Sequence, residues 1–328
     1  MVNLSLKMPE DKDILQVLIK KWPSVFDGHL HYTVGLSGGV DSVVLLYLMA
    51  KLKEVKNFEL SAIHVNHGIS SNSDSWEKFC QALCDKLNIP LKIARLKIIK
   101  TPGQGLENTA RISRYKEYAK HKDSIIVLAH HQDDLIETML SQMMRGSNIH
   151  NIAGMSEITQ KNNQTFWRPL LNFSKEGIVS FARMQNLLHI EDESNHDNTF
   201  LRNFIRNKII PEFKDFDPDI KRKLLNSLGS IQNSVAILDE LANDDFTLCL
   251  DTEESIRIEK FRNFSVLRQR NLLAFFIKLQ KLPLPSQKQL EEFRLQILAA
   301  APDRHPSLQL TNDKKITRKQ NKIKISDI

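Results

Sequence analysis

The stretch Ser37-Gly38-Gly39-Val40-Asp41-Ser42 carries residue types that suit a phosphate. Two glycines keep side chains off the backbone, so amide N–H groups can come close to an anion. If a helix opens here, its first amides lack intrahelical partners and carry about half a positive charge between them. Ser37 and Ser42 add hydroxyl donors. Asp41 repels a phosphate unless a divalent cation lies between them, so the sequence predicts a Mg²⁺ contact there. No Gly-Lys-Ser/Thr follows the glycines, which separates this loop from a Walker A loop. The plainer alternative is a Gly-Gly turn with Asp41 as a helix cap.

A second polar constellation is His130-His131-Gln132-Asp133-Asp134-Leu135-Ile136-Glu137-Thr138. Asp133 or Asp134 can cap the helix that follows while the other faces a pocket, and Glu137 lies one turn on. Such an edge suits Mg²⁺ or the ammonium of an amine nucleophile. Adjacent histidines on one strand point to opposite faces, which weighs against zinc. Arg111 and Tyr115 share a helix face. Glu107 and Arg111 stand i, i+4, which reads plainly as no more than a surface ion pair worth a few tenths of a kcal/mol; read functionally, Arg111 would reach a nucleotide or RNA. Arg202 and Arg206 share a face turned from Leu201, Ile205 and Ile209, where a guanidinium pair can stabilise charge on an α-phosphate or bind a carboxylate.

These residues need a frame. His31 to Leu36 reads as a buried strand, and Asp41 to Met49 as a helix sunk in a core. Strands over Phe58–Val65, Pro90–Ile98 and Ser124–Ala129 alternate with helices over the Trp76–Leu87 region, Glu107–His121 and Asp133–Arg145. A helix follows over Ser174–Asn186. The expected fold is α/β, a parallel sheet with helices on both faces. Ligands in such sheets bind beyond the carboxyl ends of the strands. Ser37–Ser42, His64-Val65-Asn66-His67-Gly68 and His130–Asp134 all fall there.

Asp197 to Ile210 reads as a helix ended by Pro211, with a hinge at Asp215–Pro218. Long helices without strands follow over Ile220–Leu241, Phe264–Gln280 and Ser286–Ala299. The expected domains are 1–215, an α/β catalytic domain; 216–300, a smaller, mainly helical one; and 301–328, a short basic β-hairpin. Lys314, Lys315, Arg318, Lys319, Lys322 and Lys324 cluster on that hairpin. They suit an RNA backbone, or simply an edge strand blunted by lysines.

The 328 residues are 41% apolar and 26% charged, which excludes a mostly disordered chain, and the net charge of +7 suggests a polyanionic partner. Three cysteines, Cys80, Cys84 and Cys249, make neither a disulfide framework nor a zinc cluster. Cys80 and Cys84 share the apolar face of a helix and read as core. No signal-peptide pattern and no membrane-length apolar run is seen, so cytoplasm is the expectation.

The loop Ser37–Ser42 resembles the PP-loop of the N-type ATP pyrophosphatases. A wider set of motifs resembles the tRNA(Ile)-lysidine synthetase family. The matching residues are the loop, His64–Gly68, Glu107 with Ala110-Arg111 and Arg114-Tyr115, His130–Asp134 with Glu137-Thr138, Ala153-Gly154-Met155, Arg168-Pro169-Leu170, and Glu191-Asp192 with Ser194-Asn195, Phe200, Arg202-Asn203 and Arg206.

That resemblance implies a Rossmann-like PP-loop ATPase domain that adenylates the C2 oxygen of the wobble cytidine in tRNA(Ile) with a CAU anticodon. The ε-amine of L-lysine then displaces AMP to give lysidine, so that the tRNA reads AUA rather than AUG. It implies ATP contacts at Ser37, Gly38, Gly39, Val40, Asp41, Ser42, His64, His67 and His131, with Mg²⁺ on Asp41. Asp41, Asp133, Asp134, Arg111 and Arg202 would be catalytic; Glu137, Arg114 and Arg206 would bind lysine or tRNA. The helical region would help hold the tRNA. Many members carry a further C-terminal domain, so this chain is expected to be a short form. No membrane is implied, and a homodimer is compatible. The alternatives are another PP-loop tRNA enzyme such as a thiolase, which needs a reactive Cys near the pocket, and a non-catalytic nucleotide- or RNA-binding protein.

Overall fold

The computed structural model describes residues 14–26, 28–68, 70–96, 106–161, 164–193, 197–252, 255–301 and 303–328. The chain divides into two compact units, Met1–Leu135 with Met155–Ile209, and Ile136–Gly154 with Ile210–Ile328. No helix among the described residues is long and apolar enough to cross a membrane.

The first unit opens with α1 (Ile14–Lys20) and a 3₁₀ turn, then alternates β1 (His31–Gly35), α2 (Val40–Lys56), β2 (Glu59–Asn66), α3 (Ser73–Lys86), β3 (Leu91–Arg95), α4 (Leu106–Tyr118), β4 (Ile125–Val127) and the start of α5 (Gln132–Met144). The six-stranded sheet runs β3-β2-β1-β4-β6-β5, where β5 (Ile158–Lys161) and β6 (Gln164–Trp167) form an antiparallel hairpin. β6 lies parallel to β4, with Ile126 opposite Phe166. The remaining neighbours are parallel, as expected from the alternation. The β5–β6 hairpin was not anticipated, because Gln160-Lys161 and Thr165 dilute its apolar pattern.

Both faces are covered. Tyr32, Val34, Leu60, Ala62, Val127 and Trp167 pack with α1, α2, α3 and α7 (Lys175–Met184), while Ile63, Ile126, Leu128 and Phe166 pack on Tyr115 and Tyr118 of α4. The pleat sends alternate side chains to opposite faces, which explains why neighbours such as Ile126 and Val127 part company. Val43 to Leu46, Leu48, Met49 and Leu52 of α2 are all buried, so this helix is the centre of its layer. Ser174 caps α7 by accepting from the Gly177 amide at 3.0 Å.

Next comes α8 (Leu201–Phe204), then a π turn at Ile205–Ile209 that leads into α9 (Ile210–Phe216). Pro211 does not end the helix as expected. The wide turn just before it resets the hydrogen-bond ladder, so Pro211 falls in the first turn of α9, where a missing N–H costs little.

The second unit contains α6 (Ile149–Ile152), α9, α10 (Ile220–Cys249), β7 (Leu250–Thr252), β8 (Ser255–Arg257), α11 (Ile258–Arg262), α12 (Val266–Leu279), α13 (Gln287–Ala299), β9 (Ser307–Gln309), β10 (Lys314–Lys319) and β11 (Lys322–Asp327). Ser286 and Gln289 form a capping box on α13. β10 and β11 pair as the expected hairpin, but they join a five-stranded sheet of order β7-β8-β11-β10-β9. Ile316 and Ile323 thereby reach a core shared with Ile256, Leu272 and Phe276.

The basic cluster on this hairpin is partly structural. Arg318 is 2% exposed and donates to the carbonyls of Ile297 and Ala300, each at 2.7 Å, closing the C-terminus of α13. Lys314 pairs with Asp327 at 2.8 Å, and Lys322 pairs with Asp251. Arg318 is therefore withdrawn from the expected RNA-facing set.

Candidate active site

The carboxyl ends of β1, β2 and β4 bring together Ser37–Ser42, His64–Gly68 and His130–Asp134. Gly38 has φ +91, a left-handed value that glycine adopts without strain, and a Cβ there would stand 2.6 Å from Ile190 Cδ1. The Ile190 amide donates to Gly38 O at 2.9 Å, and Gly39 bridges Ile190, so the segment after α7 braces the loop. Gly39 is the N-cap of α2, with no side-chain capping bond. Asp41 is therefore in the first helical turn rather than the cap. The first amides of α2 thus have no side-chain cap, and such helix starts suit an anion.

Ser42 departs from its expected use. Its Oγ accepts from the Ser37 and Gly38 amides at 3.2 and 3.1 Å and donates to Gly39 O at 2.9 Å. A hydroxyl held this way, one turn into a helix and 5% exposed, shapes the loop from within. Ser37 Oγ lies 3.1 Å from it.

His131 stands between two carboxylates, its Nε2 3.7 Å from Asp41 Oδ1 and 3.6 Å from Asp134 Oδ2. Its amide donates to Asp134 Oδ2 at 2.9 Å, making Asp134 the residue that folds back on the helix start. Arg202 Nη2 bonds Asp134 Oδ1, with Arg206 3.8 Å from the same oxygen. Burial pushes the Asp134 carboxyl up, but His131, Arg202, His130 and the His131 amide outweigh it and hold it down at about 2. Asp133 is half-buried, and Glu137, one turn along α5, is fully buried.

Around these groups lies a set of cations. Burial, together with Arg168, Arg202 and Arg114, and against the pull of Asp134, lowers His130 to about 3. His67 falls to about 4 through burial, Arg114 and His64. Burial raises the Tyr115 phenol, yet Arg168, Arg111 and Arg114 carry it below its ordinary value. The Arg111 guanidinium lies 5.8 Å from the centre of the Tyr115 ring. His64 is buried and its Nδ1 is 2.9 Å from Leu36 O, which ties β2 to the root of the loop. Ser194–His196 lie outside the described residues, as does the side chain of Glu107.

Residues 10–213 match the PP-loop domain family, and residues 256–323 match the TilS substrate binding domain. A tRNA(Ile)-lysidine synthase of Nitrosomonas europaea is 38% identical over 276 residues, 83% of this chain and 60% of that protein. One from Haemophilus ducreyi is 36% identical over 282 residues, 85% of this chain and 64% of that protein. The chain belongs to the tRNA(Ile)-lysidine synthase family. It spans less than two thirds of the length of these two relatives. The fold of this chain is also similar to that of the U34-tRNA thiolase NcsA from Methanococcus maripaludis, with a TM-score of 0.55 and 18% identity over 68% of this chain and 78% of that one.

One support escaped the sequence reading, and two residues named there only as members of motifs prove to brace the site. Lys175 bonds both oxygens of Asp41, at 2.6 and 2.7 Å. A lysine at the first position of a helix opposes the helix dipole, and that misplaced charge was a readable signal. Asn66 accepts from the Gly68 amide at 2.9 Å and donates to Glu77 at 3.1 Å, fixing the His67-Gly68 turn. Arg168 is 5% exposed and donates to Ser156 O and Thr159 Oγ1 at 2.9 and 3.0 Å.

The donor set suits Mg²⁺. Asp41 already holds one cation, the Lys175 ammonium, and keeps 27% of its side-chain surface open. Among the described residues no group of three His, Cys, Asp or Glu makes a ready cage. A metal shared between one carboxylate and nucleotide phosphates is the arrangement Mg²⁺ favours.

Proposed function

We propose that this chain ligates L-lysine to C2 of the wobble cytidine of tRNA(Ile) with a CAU anticodon, at the expense of ATP. The reading rests on one observation above others. The family's PP-loop opens an uncapped helix directly beside Asp41, His131 and Asp134, so an anion seat and a carboxylate edge share one sheet end.

In the first step the C2 oxygen attacks the α-phosphorus of ATP, the bond to the β-phosphate breaks, and pyrophosphate leaves. The amides opening α2 hold the phosphates. Bound Mg²⁺ would neutralise phosphate charge from Asp41. Arg202, oriented by Asp134, and Arg111 from α4 meet the charge that develops on the α-phosphate. In the second step the lysine ε-amine forms a bond to C2, loses a proton, and AMP departs with the C2 oxygen. Asp133 and Asp134 supply the negative charge that draws an ammonium. His67 and His130, kept neutral near pH 7, donate or accept single hydrogen bonds without adding charge. Arg114 and Arg206 lie beside these groups as contacts for lysine or tRNA. The second unit, which carries the match to the TilS substrate binding domain, would hold the tRNA.

The test is incubation with ATP, Mg²⁺, labelled L-lysine and unmodified isoleucine tRNA, with methionine tRNAs as controls. Label in the isoleucine tRNA alone, with matched AMP and pyrophosphate, is expected. Adenylated tRNA that takes no lysine would reopen the nucleophile, and no cleavage of ATP would overturn the reading.

A further inference from the structure

Lys175 is paired with the one carboxylate of the phosphate loop. Its Nζ sits 2.6 Å from Asp41 Oδ1 and 2.7 Å from Oδ2, an ammonium placed symmetrically where a metal ion would have to bind. Neither partner is locked away: the Lys175 side chain is 35% exposed and Asp41 27%. Lys175 begins α7, where the helix dipole repels a cation, so Asp41 offsets an otherwise unfavourable position. Once a divalent ion takes Asp41, that offset is gone, and the metal and the helix end both repel the ammonium.

We infer that Lys175 is the resident counter-ion of Asp41 and is exchanged for the divalent metal when nucleotide binds, its ammonium passing to the pyrophosphate portion of the nucleotide. The inference rests on the nucleotide site proposed above. Charge balance favours the exchange. Mg²⁺ with a triphosphate still carries about two negative charges near neutral pH, and an ammonium on a flexible four-carbon stem beside the start of α2 needs to move only a few ångströms to meet them. The exchange keeps Asp41 neutralised at each stage. It also gives the departing pyrophosphate a cation that is not part of the loop. Lys175 thus acts first as a positioning residue and then as a direct phosphate contact.

The test compares wild type, Lys175→Met, Lys175→Arg and Asp41→Asn, each first checked for an unchanged thermal transition. Mn²⁺ is the probe, titrated by electron paramagnetic resonance against protein without nucleotide. Removing the competing ammonium is expected to tighten Mn²⁺ binding by about tenfold or more in Lys175→Met. Lys175→Arg, whose fork grips a carboxylate in bidentate fashion, should weaken it below wild type. Asp41→Asn should abolish the tight site. With Mg²⁺ saturating, pyrophosphate and ATP should each bind about tenfold more weakly to Lys175→Met, and Lys175→Arg should recover part of the loss. Equal Mn²⁺ affinity in folded wild type and Lys175→Met would overturn the exchange, and so would unchanged pyrophosphate affinity. Neither readout needs tRNA or lysine, so a failure of lysidine formation is told apart from a failure here.

Discussion

Arg202 bonds the buried carboxylate of Asp134 from the turn that precedes the π-helical segment. The pair fixes a guanidinium at the end of the sheet, and His131 first and Arg202 next hold Asp134 ionised against its burial. Its folded pKa of about 2 lies below its ordinary value of 3.8. A depressed carboxylate contributes stability that is present above the unfolded value and is lost as pH falls through the folded one. Urea midpoints of wild type and Asp134→Asn should therefore differ most above pH 4 and converge towards pH 2. Arg202→Met should cost about 1 kcal/mol, because its guanidinium keeps access to water. Turnover should drop far more than stability in both variants. A midpoint gap independent of pH would refute the ion-pair account.

His130 and His67 make a pH prediction of opposite chemical origin. Their folded values, about 3 and about 4, lie below the ordinary 6.5, with burial the largest cause in each. The unfolded chain takes up these protons first, so the stability they confer is complete above pH 6.5 and declines as pH falls towards 4 and then 3. Each contributes a slope of at most about 1.4 kcal/mol per pH unit. The slope of unfolding free energy between pH 6.5 and 4 should flatten in His130→Asn and flatten again when His67→Asn is added. A slope unchanged by either substitution would mean the rings are protonated in the fold.

Much of the first unit was legible because its strands and helices differ in period. The apolar run His31 to Leu36 and the glycines after it locate β1 and the loop without any tertiary information. Asp134 rather than Asp133 turning back onto the His131 amide was not legible, since both residues suit a helix start. Lys175 lies 134 residues from Asp41 in the chain, and no local rule connects them. The membership of β10 and β11 in a larger sheet was hidden for a related reason. β7 and β8 are three residues each, too short for alternation to register.

The cysteines separate amine chemistry from sulfur chemistry. Cys80, Cys84 and Cys249 are buried, and burial pushes their thiols up to about 12, 11 and 11. Such thiols are poor nucleophiles. Cys80 also lies beneath the loop, its Sγ 3.3 Å from where a Cβ on Gly38 would stand. The native protein should resist an aromatic disulfide reagent and release three equivalents only on unfolding. The triple alanine variant should lose about 1–3 kcal/mol through small cavities while keeping most of its turnover. Lost turnover in a folded triple variant would favour a thiolase.

The basic hairpin divides into residues that hold the fold and residues that keep their charge in water. Arg318 closes α13 from inside the second unit, so Arg318→Met should leave the Ile297 and Ala300 carbonyls unsatisfied and cost about 2–4 kcal/mol. Lys315, Lys319 and Lys324 lie on the same strands but keep part or all of their surface in water. Changing these three to Gln should leave the thermal midpoint within about a degree, since exposed charges contribute little to stability. It should instead weaken tRNA binding in low salt. Each lost phosphate contact removes roughly 0.7 to 0.9 from the slope of log affinity against log salt, so three contacts would flatten it by about 2 to 2.7. Filter binding between 50 and 300 mM salt on both variants distinguishes the roles. A slope unchanged in the triple Gln variant would assign the hairpin to folding alone.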